Sequence, residues 1–381
     1  MSHSIPPFRR DAATWTAYGL LSLLTLQIGL VGPIMPYLRA EMGLTYAEGA
    51  LHTSAFAIGM MASGFIVAPI DTRFGRKGVA LIASFALALT FLSLTFAPNL
   101  YISILSAGLM GLIGSMIVAI APMILSAVHP HDFDRALAEA NLVAYLGGLA
   151  APIAVSLASR TLGWHGAALA GFVVLAALVT SIRASHLPTD HEDTHESDGS
   201  LGIGYWAFWS LLAIAVATEF CFIVWGASYL EQITGLARGD AVLASTCFPI
   251  GMVLGRLIGL PILKRIGSAK LATASLILAF IGFLVFWIFA KSVFAVAGLF
   301  IAGLGIANLY STGIAMALNA AGSAIKKGAE RSSIASGLAI IASPLILGAL
   351  ADALGLYLAY AIIPMFIIAG LIAIRIGTNA R

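Results

Sequence analysis

The chain has 381 residues, 60% hydrophobic and only 10% charged, with a formal net charge of +3 and a mean hydropathy of +1.00. Water-soluble domains carry roughly a quarter charged residues, so this composition excludes a water-soluble globule and makes lipid the principal solvent. The small positive charge is no nucleic-acid signature, because the basic residues sort by topology.

Twelve apolar runs follow one another at about 15–38, 48–70, 78–97, 100–125, 136–159, 165–183, 204–230, 241–263, 269–290, 292–318, 333–351 and 355–375. Each is long enough for a helix to cross a hydrocarbon core of about 30 Å. Lipid offers no partner for an open backbone N–H or C=O, so each run is predicted as an α-helix. The shortest breaks, at Pro98-Asn99 and Lys291, predict hairpin turns between antiparallel helices. Arg9 and Arg10 before the first run imitate a signal peptide, but that run is too long for one and eleven more follow. A retained first helix is expected. Cys221 and Cys247 both fall in spans, which indicates neither a disulfide framework nor a thiolate metal site.

With the N-terminus inside, inner loops and tails hold fifteen of the 20 basic residues and outer loops hold four: Arg39, Arg160, Arg238 and Lys291. Arg256 is left inside a span. The bias predicts cytoplasmic termini and a multi-pass protein of the cell membrane, by expectation a bacterial inner membrane.

Residues 184–203 hold the one strongly polar interior stretch, rich in acid and His, and divide the chain into units 1–183 and 204–381. His191-Glu192-Asp193-Thr194-His195 matches the zinc-protease pattern literally. That pattern works on a helix inside a folded domain, and here it lies in an acidic tether, so a solvated linker is expected.

Sliding the second unit over the first by 192 residues aligns uncommon residues without a gap. Gln27 falls on Glu219, Tyr37-Leu38 on Tyr229-Leu230, Gly43-Leu44 on Gly235-Leu236, and Gly59-Met60 on Gly251-Met252. Phe56 meets Phe248, Pro69 meets Pro261, Arg73 meets Arg265, Gly75 meets Gly267 and Pro152 meets Pro344. Fixed-period self-similarity marks repeated architecture. The predicted fold is an all-α integral membrane protein of twelve helices, built as two pseudo-symmetric six-helix bundles in one orientation.

In this organisation the chain resembles the major facilitator superfamily along essentially its whole length. The most specific local match is Ala68-Pro69-Ile70-Asp71-Thr72-Arg73-Phe74-Gly75-Arg76-Lys77, similar to the family's gating loop G-x-x-x-D-R-x-G-R-K. Ala68 replaces the leading glycine and the acid stands one residue early. The resemblance implies that Asp71, Arg73, Gly75, Arg76 and Lys77 help to clamp the inward side shut, with Arg265 in the degenerate second copy. The basic residue common in the family's fourth helix is absent near Ala107. The antiporter pattern of the fifth survives only as Gly147 and Pro152.

A transporter needs polar groups at mid-depth, where charges are costly and functional by default. Glu219 and Arg256 lie clearly inside spans. Glu219 is a candidate proton or substrate site, or else the neutraliser of Arg256. Arg256 either pairs with Glu219 or meets an anionic group of the substrate. Gln27 is the repeat-mate of Glu219; because the family's first and seventh helices line its cavity, the two are expected on opposite walls. Glu139, Asn141 and Tyr145 open the fifth span, with Glu139 at the inner interface. Asn308, Tyr310, Ser311 and Thr312 form the densest polar cluster of the second half, either at the cavity or as interhelical hydrogen bonds. Abundant glycine, 39 residues, is explained first by close helix packing.

The leading expectation is a secondary transporter, not an enzyme, moving a small organic solute by alternating access. It needs no cofactor beyond H⁺ as a coupling ion and is expected to be a monomer in a lipid bilayer. Glu219, Trp225 and Tyr229-Leu230 faintly resemble the fucose-permease group, which implies proton-coupled uptake of a sugar-like or polar metabolite. Efflux of a drug or metabolite is the alternative, and a non-transporting membrane sensor ranks below it.

Overall fold

The computed structural model describes residues 8–62, 67–185, 187, 200–289 and 292–380. The His191–His195 pattern lies outside these residues. Among them every regular element is helical, and eleven helices are long and apolar enough to cross a membrane. The second predicted span is described as α2 (Tyr46–Ala62), whose 17 residues adjoin the undescribed 63–66.

The first half continues with α1 (Ala12–Met42), α3 (Val67–Thr95), α4 (Leu100–Val128), α5 (Phe133–Thr161) and α6 (Ala168–Ala184). The second half holds α7 (Ile203–Thr234), α8 (Arg238–Ser245), α9 (Cys247–Ile266), α10 (Ser268–Ile288), α11 (Ser292–Ile306), α12 (Leu309–Ala321), α13 (Ile325–Leu354), α14 (Leu356–Ala359) and α15 (Ile362–Asn379). Local chemistry sets the ends. The Asp11 carboxylate accepts the Thr14 amide at the start of α1, and Asn99 accepts the Ile102 amide at the start of α4. Gly43 and Gly235 close α1 and α7 in the left-handed conformation.

The structure corrects the sequence reading of several helix bounds. The gating-loop segment is itself helical from Val67, broken at Gly75 (φ 65°, ψ 161°), so α3 starts eleven residues before the predicted 78. The tenth predicted span is broken at Ala307-Asn308 into α11 and α12, and the eighth at Thr246 into α8 and α9. Helix α13 extends back to Ile325, because Lys327, Glu330 and Arg331 are good helix formers that need no apolar surroundings.

The 192-residue offset recurs in backbone geometry. Gly75 and Gly267 share one conformation (65°, 161° and 79°, 168°), as do Gly163 and Gly355 (80°, 158° and 82°, 154°). Close helix crossings recur too. A Cβ on Gly59 would strike the Gly108 carbonyl oxygen, and one on Gly251 would strike that of Phe300. A Cβ on Gly111 would strike the Phe56 carbonyl oxygen, and one on Gly303 that of Phe248. Without a hydrophobic drive between helices in lipid, such backbone approach supplies the packing that holds α2 to α4 and α9 to α11.

The halves meet along two seams. On one, α2 runs the length of α13: Gly348 packs on the Tyr46 carbonyl, Ser54 Oγ donates to the Ile341 carbonyl at 2.7 Å, and Met61 lies against Gly337. On the other, α5 meets α8 and α9. Between the seams α1 crosses α7, with Gly32 against the Ile223 backbone.

Candidate functional site

Between the halves lies a cavity of about 200 Å³, lined from α1, α5, α7, α8 and α9. Helical spacing puts the wall residues on single faces: Thr25, Ile28 and Gly29 on α1; Tyr145, Gly148, Leu149 and Pro152 on α5; Glu219, Phe222 and Ile223 on α7; Phe248, Met252, Val253 and Arg256 on α9. The lining is mostly apolar. Thr25, Tyr145, Glu219, Ser245 and Arg256 are its only polar side chains among the described residues.

Arg256 is held from two sides. Its guanidinium carbon lies 4.2 Å from the centroid of the Tyr145 ring, a cation–π contact joining the two halves. Its Nε–H donates to the Ala307 carbonyl at 3.2 Å. That carbonyl is available because the chain breaks there between α11 and α12. Glu219 lines the same cavity and has no hydrogen bond or ion pair among the described residues. No carboxylate oxygen of Glu219 approaches an Arg256 nitrogen within 4.0 Å. The reading in which Glu219 simply neutralises Arg256 is corrected: the two charges share a cavity without closing on each other.

Tyr145, Glu219 and Arg256 are thus brought together. Five other predicted residues are placed elsewhere. Gln27 is fully buried and points at α6, its Nε2 3.1 Å from where a Gly171 Cβ would stand, so it does not face Glu219 across the cavity. The repeat partner of Gly171 is Ile363, a buried branched side chain. Neither polar atom of the Gln27 amide has a hydrogen-bond partner among the described residues. Trp225 is fully buried, donates Nε1–H to the Pro344 carbonyl at 3.0 Å and meets Tyr46 edge-on. Asn308 donates Nδ2–H to the Gly255 carbonyl at 2.9 Å and packs on Gly259, an interhelical role. Asn141 is exposed and bonds back to the Leu137 carbonyl, and Tyr310 is 40% exposed outside the cavity.

The gating-loop residues lie at the end of the molecule that carries both chain termini, the basic end. Arg76 is buried, and Lys77 Nζ donates to the carbonyls of Arg183 and Ser185 at 3.0 and 3.1 Å, capping α6 within the first half. Arg73 lies against Phe74, and Arg265 is exposed. The side chain of Asp71 lies outside the described part. Glu139 accepts both Arg10 Nε and Nη2, at 2.7 and 2.8 Å, together with Arg135 and the Tyr18 hydroxyl.

The opposite, far end carries polar contacts between the halves. Asp352 of α13 accepts the Tyr46 and Ala47 amides at 2.7 and 2.8 Å, at the start of α2. Arg160 of α5, the repeat partner of Asp352, pairs with Asp240 of α8. Arg39 lies 3.4 Å from the Tyr46 ring centroid and 5.8 Å from that of Trp225, and Arg238 lies over Tyr37.

Sequence reasoning missed Thr25, Phe222, Phe248 and Met252. Thr25 Oγ1 donates to the Ala144 carbonyl, tying α1 to α5 beside Tyr145. No polar stripe was available to reveal them, since α7 and α9 are apolar along most of their length.

Three comparisons bear on this architecture. The Major Facilitator Superfamily profile matches residues 17–211. An uncharacterised MFS-type transporter of Yersinia pestis is 25% identical over 285 residues, covering 73% of each chain. The fold is similar to that of the nucleoside transporter NupG, with a TM-score of 0.80 at 14% identity over 97% of this chain and 99% of that one. It is also similar to a bacterial homologue of the human lysosomal transporter Spinster in an inward-facing and occupied conformation (TM-score 0.82, 12% identity, 98% of each chain). At these identities the structural likeness speaks to the fold alone.

Proposed function

This chain belongs to the Major Facilitator Superfamily, and on that premise we propose that it is a proton-coupled secondary transporter of a small organic solute, working by alternating access around the central cavity. Its units are 1–183 and 204–381, two six-helix bundles joined by 184–203, with both termini in the cytoplasm. The recurrence of glycine crossings and backbone breaks at a 192-residue offset supports this division. The basic end then faces the cytoplasm. The polar contacts of Asp352, Arg160 and Arg39 seal the outer end in the conformation described.

The observation that carries the coupling is an unpaired carboxyl at mid-depth in a cavity shared by both halves. The groups facing Glu219 around that cavity are Arg256 from α9, Tyr145 from α5, Thr25 from α1 and Ser245 from α8. None pairs with it, so its charge can be cancelled by a proton and restored on release to the other side. Removing a carboxylate from water is expensive unless it is paired or neutralised, which favours crossing with the proton on. Uptake of a sugar draws little support, because a sugar needs many hydrogen-bond partners and five polar side chains line the cavity. Export of an amphipathic metabolite is the second reading, favoured by the apolar walls.

The test is transport in proteoliposomes. Glu219→Gln should abolish accumulation driven by a pH gradient while leaving solute exchange measurable. Undiminished gradient-driven accumulation would refute coupling through this residue.

A further inference from the structure

We infer that the solute is an amphipathic organic anion whose carboxylate docks on the forked edge of Arg256 while its apolar body lies against the hydrophobic walls of the cavity. The inference deepens the transport reading and rests on it.

The argument starts from what Arg256 does with its donors. A guanidinium has five N–H groups in a rigid plane. Nε–H is taken by the Ala307 carbonyl, and one face is covered by the Tyr145 ring. Among the described residues the two terminal NH₂ groups have no hydrogen-bond or ion-pair partner. The group is therefore fixed in orientation but unfinished in valence. A planar carboxylate completes such a fork with two parallel bonds. A sugar hydroxyl or an alkylammonium does not.

Surroundings decide the rest of the ligand. Phe222, Ile223, Phe248, Met252 and Leu149 present apolar surface, and a ligand polar throughout would lose its hydration there without replacement. An apolar body with one charged end fits both parts. Glu219 adds a condition: its negative charge opposes a carboxylate bound nearby in a low-dielectric space, and the neutral, protonated form removes that opposition. Anion and proton are then bound together, which links the ligand class to the coupling.

Binding tests this separately from transport. Purified protein is titrated calorimetrically with 4-phenylbutyrate and indole-3-acetate, each beside its neutral amide and the corresponding amine. The carboxylates should bind, and the matched amides and amines should bind at least about tenfold more weakly, the loss of one charge-assisted bond pair. Arg256→Gln should weaken carboxylate binding about 10- to 100-fold, with Arg256→Lys in between, and Glu219→Gln should leave it intact or tighten it. Equal binding of amides or amines, no binding of either carboxylate at millimolar concentration, or an Arg256→Gln protein that still binds them normally would each overturn the inference. A folding defect in Arg256→Gln is separated by its thermal melt: a variant that melts like the wild type and has lost carboxylate binding supports the inference. If Glu219→Gln binds carboxylates normally yet still accumulates solute, the coupling proposal fails while the ligand class stands.

Discussion

Replacing Asp352 by alanine should open the far end of the molecule. At the start of α2, Thr45 and Glu48 cap each other: Glu48 accepts the Thr45 amide at 2.8 Å and Thr45 Oγ1 accepts that of Glu48 at 3.2 Å. The Tyr46 and Ala47 amides between them are satisfied by Asp352 from the other half. A side-chain cap contributes about 1 kcal/mol and a negative charge at a helix start about 0.3–1 kcal/mol, so this exposed contact is worth about 1–2 kcal/mol, or about 5- to 30-fold in an opening equilibrium. The repeat-related Arg160–Asp240 pair supplies the control. Both side chains are 53% exposed, and a surface ion pair contributes about 0–1 kcal/mol. Asp352→Ala should therefore raise the maleimide labelling rate of a Ser228→Cys reporter well above the effect of Asp240→Ala. Ser228 is buried near Arg39 and Glu231 at this end, and the assay uses a background lacking Cys221 and Cys247. Equal labelling in the two variants, or an effect of Asp240→Ala alone, would refute the reasoning that a fixed backbone cap outweighs a solvated ion pair.

Other consequences are open to direct measurement. Gly303→Ala should lower thermal stability by about 1–3 kcal/mol, because its Cβ would meet the Phe248 backbone. Gly226→Ala, whose Cβ would stand 3.9 Å from Leu299, should melt like the wild type. Gln27→Leu should raise the melting temperature, since it removes a buried amide with no partner at a cost of about 1–3 kcal/mol, and transport should persist. Lys77→Ala should destabilise the end of α6, seen as faster amide exchange at residues 182–185, with little change in ligand binding.

How much of this was legible in the sequence differs by residue. Glu219 and Arg256 stood out because an ionisable group inside an apolar span carries its cost on its face. Gln27 did not follow its repeat partner, and nothing in its own helix tells why: its amide lies against Gly171 of α6, where the other copy carries Ile363. Trp225 and Asn308 have the polar tips that suit a ligand, yet each spends its donor on a carbonyl of a neighbouring helix, Pro344 and Gly255.

Composition, run length and the 192-residue offset by themselves determined an all-helical membrane chain with an internal repeat, because solvent choice and backbone satisfaction in lipid act on every residue regardless of its neighbours. Which side chains share the cavity was decided only by tertiary packing. Span helices such as α7 and α9 are mostly apolar, so beyond single charges such as Glu219 and Arg256 no periodicity marks an inner face. The rotation of each helix is set by where glycine backbones cross and where breaks such as Ala307-Asn308 free a carbonyl for Arg256.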